Sequence, residues 1–186
     1  MNLRKLIALA AAFGACVCFA EAGYIGAKAE LAQMLLARSF AQQSAAQLAP
    51  KPWPWADFRP VARLQIKRLG LDVIALSDAS PRHLAFGPTL SRVSTPSGEM
   101  KLLNAHRDTH FAALANVAEG DQITLRQSGE LRRYRVKTIL ITATPNLALN
   151  GVADGAIVLS TCYPFNAVNP HGPQRFVVYA EAQSAR

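Results

Sequence analysis

Residues 121–144 read DQITLRQSGELRRYRVKTILITAT, and the fold class turns on this stretch. Apolar and polar residues alternate along two arms, with Ser128-Gly129-Glu130 between them. That pattern predicts a β-hairpin, because side chains on a strand point alternately to opposite faces. The second arm carries its charges as LRRYRVK over 131–137, alternating as a strand with one solvated face requires.

Working outward, the same pattern recurs. VARLQIKRL (61–69) alternates as a half-buried strand, and LDVIAL (71–76) follows after Gly70. Thr95–Gly98 is a turn signal leading into the strand of EMKLLNAH (99–106). GAIVLSTC (155–162) is a compact apolar run suited to a central strand, and QRFVVYAEA (174–182) is the last strand. After residue 58 helical signal is confined to short turns near SPRHLAF (80–86) and HFAALANV (110–117). Many short strands in a chain of this length predict a mainly β fold, a closed or nearly closed barrel, since closure hides strand edges.

The N-terminal part differs. Arg4 and Lys5 precede LIALAAAFGACVCFA (6–20), and apolar character resumes through Ala27. Positive residues before an apolar run keep the N-terminus in the cytoplasm. The expectation is therefore a cytoplasmic tail at 1–5, a single-pass signal-anchor at 6–27, and the rest of the chain on the extracytoplasmic side of that membrane. AEA at 20–22 offers a signal-peptidase site as the rival reading. Cys16 and Cys18 lie inside the apolar run and read as small membrane-facing residues. KAELAQMLLARSFAQQSAAQ (28–47) continues as a helical stalk. Pro50, Pro52, Pro54 and Pro60 then end the helix, giving a stalk and Pro/Trp linker over 28–57 and a domain over 58–186. Trp53 and Trp55 point to opposite sides of the linker, and one is expected to pack on the domain edge.

Composition narrows the function. The chain is 51% hydrophobic and 17% charged, which excludes a disordered protein, and its net charge is +8. The basic residues are scattered rather than clustered, so no nucleic-acid partner is expected.

Cys162 is the only cysteine beyond the first eighteen residues. It falls at the end of one strand, His106 at the end of another and Arg175 at the start of a third. If those strands are neighbours, the three side chains meet at one rim of the barrel. A thiolate is a nucleophile, an imidazolium stabilises it and protonates a leaving amine, and a guanidinium donates to carbonyls and an oxyanion. That set suffices for acyl transfer.

LSTCYPF (159–165), AHRDTHF (105–111) and QRFVVYA (174–180) resemble the signature words of sortases, in the same order. PWPWADFRPVARL (52–64), LAFGPTL (84–90) and TCYPFNAVNPHGPQRFVVYA (161–180) are similar to the sortase subgroup of Gram-negative bacteria. The resemblance implies a sortase-type β-barrel of about eight strands with short helices, behind an N-terminal membrane-anchor helix and stalk. It implies a membrane-anchored cysteine transpeptidase without a cofactor or metal. Such an enzyme cleaves an LPxTG-like sorting signal at the C-terminus of a dedicated protein substrate, holds the acyl group as a thioester, and passes it to an amine acceptor. Cys162 is then the nucleophile, His106 its acid–base partner and Arg175 the clamp, with Thr161, Ala105 and Tyr163 at the substrate groove. Two positions depart from the family words: Asn104-Ala105 stands where Ala-Gly usually precedes the His, and Val158 replaces a Thr. Some sortases bind calcium through acidic side chains, but Asp121, Glu130 and Asp154 are scattered and too few to predict that site. A zinc hydrolase using His106, His110, Cys162 and His171, and an inactive sortase-like module that binds peptide without cutting it, are the alternatives. An L,D-transpeptidase is excluded by the Ser-Thr before Cys162, where that class has Ser-x-Gly.

Overall fold

The computed structural model describes residues 3–44, 47–77, 80–143, 152–167 and 172–183, with backbone alone for 3, 6, 8–12, 15–23 and 25–26. Cys16 and Cys18 fall among the backbone-only residues, and His171 lies outside the described ones. One long helix, α1 (Leu3–Phe40), precedes eight strands: β1 (Pro60–Ile66), β2 (Leu71–Ser77), β3 (Thr89–Thr95), β4 (Gly98–Asn104), β5 (Gln122–Gln127), β6 (Glu130–Ala143), β7 (Ile157–Tyr163) and β8 (Gln174–Ala182). They close into a barrel in the order β1-β2-β3-β4-β7-β8-β6-β5. The expected barrel of about eight strands is therefore present.

Residues 121–144 supply the β5–β6 hairpin, paired from Gln127↔Glu130 out to Gln122↔Arg135. Its turn needs Ser128 and Gly129 at positive φ (49° and 81°), which glycine tolerates best. From Tyr134 on, β6 pairs with β8, with a register shift between Val136 and Thr138, and beyond Arg135 it has left β5. A single strand thus joins two parts of the barrel wall. The core fills from alternate positions on every strand but β3: Leu64, Val73, Leu103, Ile123, Leu125, Tyr134, Ile157, Leu159 and Val178 form one buried cluster. A second cluster lies against the outer face, where Met100, Val158 and Val177 pack together.

Two strand assignments differ from the sequence reading. The run 61–69 ends as a strand at Ile66 and turns through a 3-10 helix, Lys67–Leu69, capped by Gly70 at φ 65°. β3, which the sequence pattern did not announce, has only its first residue buried, and it meets β2 in just two parallel pairs, Leu76↔Thr89 and Ser77↔Leu90. So little of β3 faces the core that its hydrophobic alternation is weak.

The expected anchor and the first part of the expected stalk are one continuous helix. Its last turns are docked on the barrel rather than standing free. Leu36 and Phe40 are buried with Phe58, Ile74 and Leu76. Gln33 completes the docking with polar contacts: Ile74 N–H donates to its Oε1 (2.8 Å), and its Nε2 donates to Phe86 O (2.7 Å). The side-chain amide thereby stands in for a missing strand partner along β2. Trp53 packs edge-on against Phe58 and Phe86, while Trp55 is 82% exposed, so one tryptophan does pack on the domain edge. Among the described residues no helix is long and apolar enough to cross a membrane.

Candidate active site

Strands β4, β7 and β8 lie side by side, β7 in the middle, parallel to β4 and antiparallel to β8. In the β7–β8 register Cys162 stands directly opposite Arg175. Directly opposed residues have Cβ atoms about 5 Å apart and share a face. That face is the outer one, because Cys162 alternates with the buried core residues Leu159 and Ile157 and shares parity with Val158. In the β4–β7 register Asn104 pairs with Ser160. His106 follows Asn104 by two residues, as Cys162 follows Ser160, so topology brings all three to one level at one rim. His106 is exposed; Cys162 and Arg175 are half-buried, and Cys162 is a free thiol.

Arg175 is anchored through one nitrogen. Its Nη1 donates to the carbonyls of Gly172 and Gln174, each at 3.0 Å. Its Nε and Nη2 carry no hydrogen bond to any described residue. A planar guanidinium held at one corner can present its other edge to a carbonyl or oxyanion. Among the described residues no hydrogen bond joins Cys162, His106 and Arg175 to one another.

Thr161 and Ala105 sit beneath this rim. Thr161 is 2% exposed and its hydroxyl donates to Ala105 O at 2.7 Å. Ala105 N–H in turn donates to Ser160 O at 3.3 Å. These bonds extend the β4–β7 pairing by one residue and fix the backbone just before His106. Tyr163 lies on the inner face, stacked on Phe176 (6.3 Å between centroids, 19° between planes) and edge-on to Phe165. The three rings cap the core beneath the rim.

One residue at this rim, Arg107, was not picked out from the sequence, and His110 entered only as a zinc candidate. Arg107 is 6% exposed, and its Nη2 donates to Ala167 O at 2.8 Å, tying the His106 segment to the segment after Cys162. The one available signal was a charged residue directly beside the candidate imidazole. His110 is buried, and its Nε2 has no hydrogen-bond partner among the described residues. Burial pushes its imidazole down to about 4, reinforced by the charge of His106 and opposed by a bond to the Ala85 backbone and by Asp108. Among the described residues no group of three metal-ligating side chains gathers around His106 and His110. The three scattered acids are all engaged: Asp121 by Arg68, Glu130 by Arg132, and Asp154 by the Glu99 N–H.

The comparisons with known proteins agree with this fold. The profile of the Sortase domain matches residues 64–183. Sortase D of Bacillus subtilis (strain 168) is 34% identical over 83 residues, covering 43% of this chain and 41% of that protein. The match therefore spans about two fifths of its length. Among solved structures, Sortase A from Corynebacterium diphtheriae superposes with a TM-score of 0.61 at 22% identity, over 71% of this chain and 64% of that one. A Clostridium perfringens Sortase D5 transpeptidase gives 0.60 at 12% identity, over 85% and 99%. The chain belongs to the sortase family.

Proposed function

We propose that this chain is a membrane-anchored cysteine transpeptidase of the Gram-negative sortase type. It cuts an LPxTG-like signal on a dedicated protein substrate and transfers the acyl group to an amine. The observation that carries this reading is the direct pairing of Cys162 with Arg175 at the level of His106.

In the proposed reaction the Cys162 thiolate attacks the carbonyl carbon of the Thr–Gly bond. The oxyanion that forms accepts hydrogen bonds from the open edge of Arg175. His106 gives its proton to the departing glycine amine, leaving a thioester. The incoming amine then attacks the thioester carbon, His106 takes its proton, and the Cys162 thiolate leaves. Thr161 and Ala105 act by holding the His106 backbone against β7, and Tyr163 by supporting the strand end that carries Cys162.

Membrane anchoring is supported by Arg4 and Lys5 ahead of the uncharged run 6–20, and by the exposed Ile7, Phe13 and Tyr24 along α1. With the N-terminus in the cytoplasm, the barrel lies on the extracytoplasmic side of the inner membrane. The full chain, mixed with an LPxTG-like peptide and a soluble amine, is expected to yield the transferred product, and Cys162→Ala to yield none. Undiminished transfer by Cys162→Ala overturns the reading. Cell fractionation tests the anchor: full-length protein belongs with the membranes, and recovery in the soluble fraction contradicts it.

A further inference from the structure

The end of the barrel away from Cys162 has its own opening, a cavity of about 280 Å³ lined by Arg92, Glu99, Lys101, Gln127, Glu130 and Arg132 among others. The register fixes its place. β4 and β7 run parallel, so residues early in β4 lie far from Cys162 at the end of β7. Arg92 pairs with Lys101 across β3–β4, and Arg132 pairs with the core residue Leu125 across β5–β6. Lys101 shares its strand face with Leu103, and Arg132 with Tyr134, both core residues. Lys101 is therefore buried on the inner face, where apolar side chains are the rule, while the exposed Arg92 and Arg132 flank it at the mouth.

The charges at this mouth do not cancel. Arg92 pairs with Glu99 (3.2 Å), and Arg132 binds Glu130 through two nitrogens (3.0 and 3.2 Å). Both carboxylates are thereby used, and Lys101 is left over. It is only 9% exposed, yet among the described residues its ammonium has neither a hydrogen bond nor an ion pair. Burial, together with the charges of Arg132 and Arg92, holds it below the ordinary lysine range, against the weaker pull of Glu99 and Glu130. The neighbouring Tyr134 hydroxyl is buried beside Arg132. The Lys101 stem is buried while its ammonium opens onto the cavity, where an anion can take the place of water.

We infer that this mouth is a binding site for a small oxyanion, a carboxylate or phosphate group held by Lys101 and flanked by the Arg92 and Arg132 guanidinium groups. The cavity is below the size of a drug-sized pocket, which restricts the ligand to a small anion or the anionic tip of a larger one. Three cations against two carboxylates favour a single negative charge. Charge-assisted hydrogen bonds from an ammonium and adjoining guanidinium edges suit planar and tetrahedral oxyanions alike. The site is independent of the sorting reaction.

The test is thermal unfolding of the full chain in sodium phosphate, sodium acetate and sodium chloride at matched pH and ionic strength. Either oxyanion, near saturation, is expected to raise Tm by about 3 °C or more over chloride. A response to acetate alone assigns the site to carboxylates, and one to phosphate assigns it to phosphoryl groups. Lys101→Met keeps the aliphatic stem and should abolish the shift. Arg92→Gln, at an exposed position, should weaken binding about tenfold and serves if the Lys101 variant does not fold. Equal Tm in all three salts overturns the inference. So does a shift that survives Lys101→Met, because it would reflect general salting effects.

Discussion

At the scale of single residues, the candidate chemistry rests on a cysteine and an arginine that face each other across one ladder. Both were legible in the sequence, because each falls at the end of an apolar strand pattern where a side chain leaves the core. Their direct opposition was not, since register depends on pairing between distant segments. Arg175→Lys is expected to lower kcat/KM by roughly 10²- to 10³-fold while thermal unfolding changes little. A lysine keeps the charge but loses the fork that is anchored on Gly172 and Gln174 and open on its other edge. Thr161 carries the opposite signature. Thr161→Val leaves the Ala105 carbonyl without its buried donor, and about 1–3 kcal/mol of stability should be lost in denaturant unfolding. The sequence words placed Thr161 at the substrate groove. In the fold it is buried and its hydroxyl meets the Ala105 carbonyl just before His106, a link only the parallel β4–β7 pairing creates.

At the scale of elements, the β5–β6 hairpin was the clearest feature, because two alternating arms around Ser-Gly leave few other conformations. β3 was hidden for the converse reason: it buries little. The docking of α1 was also not legible. KAELAQMLLARSF reads as a continuous helix whichever face it buries, and nothing local announces that Gln33, Leu36 and Phe40 meet β2. Leu36 is fully buried, so Leu36→Ala is expected to cost about 2–5 kcal/mol, measured by chemical denaturation. A cost under about 0.5 kcal/mol would mean that the helix end stands off the barrel as a free stalk.

At the scale of the whole molecule, barrel closure followed from strand number and the need to hide edges. The strand order did not, because β4–β7 and β2–β3 are parallel pairs between segments whose separation local pattern cannot specify. Buried polar groups inside this closed wall give the fold a pH dependence. His110 is held neutral, its value lowered from 6.5 to about 4. Between those values the unfolded chain takes up a proton that the folded chain refuses. The contribution is therefore fully present above pH 6.5 and is lost as pH falls toward 4, by roughly 2–3 kcal/mol. His110→Phe should flatten the stability profile across that window in urea titrations at stepped pH. The central claim, that the barrel rim performs acyl transfer through Cys162, is tested most directly by intact-mass measurement of the full chain after brief exposure to an LPxTG-like peptide without an amine acceptor. The account predicts a mass increase equal to the peptide up to its threonine, lost on adding hydroxylamine and absent from Cys162→Ala. Peptide that binds without a covalent adduct, or an adduct that persists in Cys162→Ala, would contradict it.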